Sequence, residues 1–284
     1  MSLSSQIYST HAIIFLEIIK NLLHLRSNLM TKKIIGFLLN NPVSFAILNL
    51  FTYCFYSVVI GISLVPSLSI ILYSSRVFLP VSVNGISDPI HIALFAVCLG
   101  LSVYAYFITG FLVYGIVEKI LTIGFKEGKY PVESFLFSRW LLYSGLHVIV
   151  LNTIMPLMSG SPYAKIYYRI LGCKIGRDVF INTAGLHDAY LLEIGSNVVI
   201  GGKADISCHI FEGNHLTLGK IKIGNNVLIG TEAYIMPGVT IENNCNIGMY
   251  AYVRKNKTVP EGSMIMALPG LPAKQIAKLE KESH

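Results

Sequence analysis

Three histidines and two carboxylates lie close together in the second half of the chain, and their side chains could do acid–base chemistry. His187 and Asp188 come first, and His209, Glu212 and His215 follow. A neutral imidazole with a pKa of about 6.5 accepts a proton at neutral pH. A carboxylate can hold such a ring in place, and either Asp188 or Glu212 could do so for His209. The set therefore predicts a general base or, because three histidines are present, a metal site.

The repeat that surrounds these side chains indicates how they are positioned. An aliphatic residue, usually followed by glycine, begins hexads at Ile175, Ile194, Ile200, Ile223, Ile229, Ile235, Ile241, Ile247 and Val253. Such a repeat is typical of a three-sided parallel β-helix, in which each aliphatic residue stacks on the one about eighteen residues along. Glycine beside Asn or Asp suits the corners. The order breaks once, over 206–218, and a loop extruded from a regular coil is where function tends to lie.

These hexads resemble the hexapeptide-repeat acyltransferase superfamily, which includes maltose, xenobiotic and serine acetyltransferases. The resemblance covers about 175–276 and ends in a closing segment that contains Val259-Pro260, Gly262 and Gly270-Leu271-Pro272-Ala273-Lys274. Leu271 stands where the family more often has Asn or Ser. The resemblance implies a left-handed β-helix with a short C-terminal helix and a homotrimer whose sites are shared between subunits. It also implies an acyl-coenzyme A as co-substrate, with acetyl-CoA favoured.

The resemblance also implies roles for particular residues. Acyl transfer from a thioester needs a base and a groove for the pantetheine arm. His209 follows Ile200-Gly201 at the interval of the family's catalytic histidine, which makes it the general base, with Glu212 and His215 as further catalytic candidates. The coenzyme would contact Gly230, Gly248, Lys255, Gly270, Pro272 and Lys274, and Arg254 is a further candidate for its phosphates.

A second resemblance reaches back before the hexads. It rests on Gly128-Lys129-Tyr130-Pro131, Arg139-Trp140, Gly160-Ser161-Pro162-Tyr163 and the stretch 168–178. These residues resemble the membrane-embedded C-terminal acyltransferase-like units of poly-lysine-synthetase-type nonribosomal peptide synthetases. The resemblance implies that a phosphopantetheine carrier could replace coenzyme A as the donor and that the product could be an amide.

Two other functions fit the same fold. A γ-carbonic-anhydrase-like enzyme would bind zinc, but the intervals from His187 to His209 and His215 do not repeat that family's ligand arrangement, so we expect no metal. A non-catalytic trimeric assembly module would keep the β-helix and bind no coenzyme. The formal charge of +7 could suggest nucleic acid, yet the basic residues flank apolar runs, and we expect no nucleic-acid partner.

The first half of the chain reads as a membrane region. Only 13% of the residues are charged, mean hydropathy is +0.61, and 34–75 contains no charged residue. We predict four domains: an amphipathic interfacial helix at 1–33, transmembrane helices over 34–162, the β-helix over 163–276 and a tail at 277–284. Crossings are expected near 43–64, 67–83, 90–117 and 137–158.

The basic flanks predict the orientation. The basic residues before the first apolar run and those after the last both prefer the cytoplasm, which four crossings, or three crossings and a re-entrant segment, would satisfy. Five scattered cysteines without a paired motif fit a reducing compartment. The expected location is a multi-pass cell-membrane protein with a cytoplasmic β-helix, membrane lipid as a partner, and a small-molecule, glycan or lipid acceptor with a hydroxyl or amine.

Overall fold

The computed structural model describes residues 42–79, 82–83, 86–132 and 134–267, which form two compact units. The helical unit contains the described residues up to Ile123 together with Val132–Ile154, apart from residue 133. The β-helix unit contains Gly124–Pro131 and the described residues from Met155 onward. The interfacial helix predicted at 1–33 and the predicted C-terminal helix and tail lie outside the described residues.

The helical unit is built on two long helices. They are α1 (Pro42–Phe78) and α2 (Pro89–Thr122), joined through a short hairpin of β1 (Ser82–Val83) and β2 (Ile86–Ser87), and followed by α3 (Phe135–Thr153). Asp88 begins α2, because its side chain accepts a hydrogen bond from the Ile90 amide and Pro89 has no amide hydrogen to leave unsatisfied. Ser134 caps α3 in the same way through the Phe137 amide.

Among the described residues, two helical stretches are long and apolar enough to cross a membrane, Leu50–Phe78 and Pro89–Thr122. The stretches predicted as the first two crossings, 43–64 and 67–83, lie largely in the one continuous helix α1, and the number of crossings stays a prediction. Pro66 was expected to separate two of them but lies inside α1, where it removes a single backbone hydrogen bond without ending the helix. The stretch predicted as the fourth crossing is divided between α3 and α4 (Met155–Met158), and α3 buries large residues such as Phe137, Trp140 and Leu146.

The β-helix unit begins with helical turns and continues as a coil of short strands. After α4 comes α5 (Pro162–Leu171), which Ser161 caps at its start and Gly172, with φ 108°, ends. Three parallel sheets follow. The first contains β4 (Lys174–Ile175), β7 (Leu192–Ile194), β12 (Ile221–Ile223), β15 (Thr240–Ile241) and β18 (Thr258–Val259), and the second contains β5 (Phe180–Ile181), β8 (Val199–Ile200), β13 (Leu228–Ile229), β16 (Asn246–Ile247) and β19 (Met264–Ile265). The third contains β6 (Leu186–His187), β9 (Asp205–Ser207), β14 (Tyr234–Ile235) and β17 (Tyr252–Val253).

The pairing register confirms the three-sided parallel coil. Ile229 pairs with both Ile200 and Ile247, and each of these side chains is fully buried. The aliphatic residue of every hexad thus points inward and stacks on the equivalent residue of the next coil, which removes apolar surface from water. The left hand of the coil stays a prediction from the family resemblance.

The corner residues have two separate structural roles. The glycine after each aliphatic residue lies against the next coil: a Cβ at Gly195 would be 2.5 Å from the Gly224 oxygen. The left-handed conformation is instead adopted by Asn197, Asn226 and Asn244, whose φ angles are 54–58°. Their side-chain amides also bond to one another along the corner, at 3.1 and 3.0 Å. Glycine is therefore needed for close approach, and the residue in the left-handed conformation, asparagine at this corner, makes the turn.

The break in the hexads is a β-hairpin. It consists of β10 (His209–Glu212) and β11 (His215–Leu218), which pair antiparallel. A third strand, β3 (Gly128–Pro131), pairs antiparallel with β11 and comes from the segment that connects α2 to α3. This segment therefore belongs structurally to the β-helix unit, which the sequence did not indicate.

Candidate active site

His209 is the first residue of the hairpin, and strand pairing places it beside Asp188. His187 pairs with Ser207 of the following coil, so Asp188 and His209 leave the same sheet at the same corner. The Asp188 carboxylate oxygen Oδ2 lies 2.5 Å from His209 Nδ1. Asp188 is fully buried and has a φ of 54°, whereas about a quarter of the His209 side chain is exposed.

This contact indicates which ring nitrogen of His209 carries the hydrogen. Asp188 is acceptor-only when ionised, so Nδ1 carries the hydrogen and Nε2 is the nitrogen that can take a proton. The Tyr190 hydroxyl donates to the other carboxylate oxygen of Asp188 at 2.9 Å. Ser207 Oγ donates to the backbone oxygen of His209 at 3.0 Å. A base oriented by a carboxylate that is itself held by a hydroxyl can deprotonate a hydroxyl or amine.

Further polar groups surround the imidazole. The His187 ring lies edge-on to His209, with centroids 6.0 Å apart, and His187 Nε2 is 3.7 Å from Asp205 Oδ1. Within the described part of the chain, this buried Asp205 oxygen has no hydrogen-bond partner. Burial raises the pKa of Tyr234, and the nearby Asp205 raises it further. A ligand group with a hydrogen to donate would satisfy Asp205.

Glu212 and His215 occupy the far end of the hairpin and face each other across it. Glu212 forms an ion pair with Lys255, and His215 is exposed. The carboxylate at His209 Nδ1 is that of Asp188, which the sequence offered as an alternative to Glu212. The catalytic roles of Glu212 and His215 stay predictions.

Sequence reasoning missed two residues at this site, Tyr190 and Asp205. Tyr190 follows Asp188 by two positions in a single helical turn at 189–191, and no repeat marks it. Asp205 ends the Ile200 hexad and directly precedes the break, which was the one available signal. The position of Asp205 beside His187 depends on the stacking of successive coils, whereas the contact of Tyr190 with Asp188 depends on the local helical turn.

The implied coenzyme residues are divided between the coil and the undescribed end. Gly230 and Gly248 follow the paired residues Ile229 and Ile247 and share one corner. A Cβ at Gly230 would lie 2.5 Å from the Met249 nitrogen, so this glycine is also required for coil packing. Lys255 lies on the corner beside the hairpin. Gly270, Pro272 and Lys274 lie outside the described residues, and all coenzyme contacts stay predictions.

A metal site has no candidate in the described residues. No three His, Cys, Asp or Glu side chains among them come close enough to hold an ion. The zinc enzyme considered from the sequence therefore gains no support from this part of the chain.

Comparisons with known proteins define the class and then the family. The family described as "Bacterial transferase hexapeptide (six repeats)" matches residues 220–255. Protein CapG of Staphylococcus aureus is 36% identical over 125 residues, which are 39% of this chain and 69% of the relative. The chain belongs to the bacterial hexapeptide-repeat transferases. The predictions of this superfamily and of the acyltransferase class are confirmed at the level of the family.

The second resemblance is also confirmed. Delta-poly-L-ornithine synthetase of Acinetobacter baumannii is 29% identical over 192 residues, which are 66% of this chain and 14% of the synthetase. The chain therefore spans about a seventh of that relative's length. A solved structure, galactoside acetyltransferase in complex with coenzyme A, is 32% identical over 34% of this chain and 50% of that chain, with a TM-score of 0.29.

Proposed function

We propose that this protein is a membrane-anchored acyltransferase that moves an acyl group from coenzyme A to a hydroxyl or amine. Acetyl is the favoured acyl group. The observation that carries the proposal is the His209–Asp188 pair at the single break in a hexapeptide coil. A buried carboxylate and a partly exposed imidazole form the arrangement that general-base catalysis requires.

The reaction follows from the protonation state of this pair. His209 Nε2 takes the proton of the acceptor hydroxyl or amine while the acceptor attacks the thioester carbonyl carbon. The carbon–sulfur bond breaks, and the imidazolium returns the proton to the departing thiolate. Asp188 keeps Nδ1 protonated throughout and stabilises the positive ring. The acceptor gains an ester or amide bond, and His209 ends neutral, as it began.

The donor is proposed from the family and the corner residues. A relative of known structure was solved with coenzyme A. The Gly230 and Gly248 corner and Lys255, together with Gly270, Pro272 and Lys274, would line its channel. The likeness to a synthetase supports a phosphopantetheine carrier as the alternative donor. A small molecule, a glycan or a lipid would serve as the acceptor.

The membrane location is proposed from the surface of α1 and α2. Large apolar side chains such as Leu72 and Ile90 are more than half exposed on these helices, which suits hydrocarbon and not water. We propose that α1 and α2 anchor the protein in the cell membrane with the β-helix in the cytoplasm. The family further supports a homotrimer with sites shared between subunits.

The test compares His209→Ala with the matched variant His215→Ala in the full chain. Membrane extract supplies the acceptors, and transfer of label from radiolabelled acetyl-CoA is measured. We expect transfer to fall about 100- to 10,000-fold in His209→Ala, the range for loss of a general base, while coenzyme A still binds. Transfer in the His215 variant should fall less than in His209→Ala. Normal transfer in His209→Ala would refute the base, and absence of coenzyme A binding in the wild type would favour a non-catalytic module.

A further inference from the structure

A second site is suggested by a cavity on the other side of the hairpin. It has a volume of about 480 Å³ and lies between β3, the hairpin and the coil. Its charged lining residues are Glu127, Lys129, Glu212, Lys220, Lys222 and Lys255. Lysines outnumber carboxylates there, so the cavity favours an anion.

Strand alternation separates this cavity from the catalytic pair. Successive side chains of a strand point to opposite faces, so His209 and Ile210 face opposite ways. Ile210 pairs with Thr217, and Thr217 pairs with Lys129, which places these three side chains on one face of the sheet. All three line the cavity. His209 and Phe211 share the opposite face, with ring centroids 6.4 Å apart.

The lysines differ in how they are neutralised. Lys220 binds Glu193 at 2.8 Å, and Lys255 binds Glu212. For Lys129 and Lys222, no ion pair is present within the residues that the structure describes. Two positive charges that face one cavity, neither paired with a carboxylate, together attract an anion, and an anionic ligand can take that place.

A buried hydroxyl supplies an independent indication. Thr217 Oγ1 is closed off from solvent and has no hydrogen-bond partner in the described part of the chain. An unsatisfied buried hydroxyl is costly, and such groups in native proteins call for an explanation. Because Thr217 lines the cavity beside Lys129, a ligand oxygen could accept its hydrogen.

We propose that this cavity binds the phosphate group of a ligand other than the acyl donor. Lys255, a proposed donor contact, also lines the cavity, but it is paired with Glu212, so the proposal rests on Lys129, Lys222 and Thr217. A phosphate monoester brings strong acceptor oxygens and more than one negative charge, which matches two lysines and a hydroxyl. Lysine binds phosphate as a point charge and does not demand a planar partner. The phosphate could belong to a lipid headgroup or to a soluble ester, and the two sources share this chemistry. Lys129 lies on the segment that directly connects α2 to α3.

The experiment measures phosphate binding by calorimetry on the full chain in detergent. The probes are glycerol 3-phosphate and a short-chain phosphatidic acid, which carry the same monoester. The double variant Lys129→Gln/Lys222→Gln should weaken binding at least about ten-fold, since each charge-assisted hydrogen bond from a lysine to the phosphate contributes to the binding free energy. Each single variant and Thr217→Val should weaken binding less. Lys203→Gln, an exposed lysine outside the cavity, should stay within about two-fold.

Several results decide the proposal. Binding of both probes supports recognition of the phosphate itself, and binding of phosphatidic acid alone supports a lipid source. No binding of either probe to the wild type, or equal binding to the double variant, would overturn the proposal. Coenzyme A affinity should be unchanged in the double variant. A parallel loss of coenzyme A binding would overturn it as well, because the cavity would then belong to the donor site, whereas acyl transfer itself would stand.

Discussion

The two units of this protein place charge and apolar surface in opposite ways. In the helical unit, Glu118 and His147 are almost fully buried and lie 3.0 Å apart, while Leu72 and Ile90 are exposed. In the β-helix unit, the interior is aliphatic and the ion pairs of Glu193 with Lys174 and Lys220 lie on the outside.

The difference supports the proposal that the units face different solvents. In water, apolar residues are buried and exposed ion pairs add little. In a bilayer, apolar side chains face the lipid, and ionisable groups turn toward the interior of the helix packing. The β-helix follows the first rule, and α1 and α2 follow the second. The following predictions test this contrast, from the largest expected effect to the smallest.

Removing one partner of the buried Glu118–His147 pair should have the largest effect. We expect Glu118→Ala to lower the free energy of unfolding by about 3–5 kcal/mol, because His147 would remain buried beside a cavity. Thermal unfolding in detergent would measure it. The double variant Glu118→Leu/His147→Leu should recover most of the loss, and a double variant as unstable as the single one would contradict this account.

Truncating an aliphatic side chain should matter in one unit and not in the other. Ile229→Ala should cost about 2–5 kcal/mol, because Ile229 is fully buried between coils. Leu72→Ala, on the exposed surface of α1, should change stability by less than about 0.5 kcal/mol. Melting temperatures of the two variants provide the comparison. A large loss in Leu72→Ala would show that α1 packs against protein at that point.

Asp188 is the exception in the β-helix, since it is the buried carboxylate among the described residues of that unit. Tyr190→Phe removes the hydroxyl that positions it, so turnover should fall about ten-fold, as for a lost hydrogen bond to a charged group. The Michaelis constant for acetyl-CoA should not change. Tyr250→Phe, at an exposed position, is the control. A change in the Michaelis constant alone would place Tyr190 in donor binding instead.

The exterior ion pairs should have the smallest effect. Hydrogen bonds from Lys174 and Lys220 lower the pKa of Glu193 to about 2 from its usual 4.5. The carboxylate therefore stabilises the fold above its unfolded pKa, and this contribution is lost as pH falls from 4.5 toward 2. Glu193→Gln should cost at most about 1 kcal/mol at neutral pH. The difference in melting temperature from wild type should vanish at acidic pH, and a constant difference would rule out this cause.

The sequence by itself determined the class of the second half. A hexad period is local, because each aliphatic residue and its glycine recur at fixed spacing whatever the chain does elsewhere. The coil, its inward residues and the break at 206–218 could all be read from it. Hydropathy likewise located the apolar helices, but Pro66 does not mark a boundary between two of them, since a proline inside an apolar helix can be accommodated.

Only the tertiary structure decided which groups meet. Glu212 is near His209 in sequence, yet an offset of three along a strand turns it to the opposite face. Asp188 is far in sequence, but coil stacking brings it to the imidazole. The segment 124–131 joins the hairpin through β3, and this pairing creates a cavity that no spacing reveals. Such contacts depend on the register between distant strands, which local periodicity does not encode.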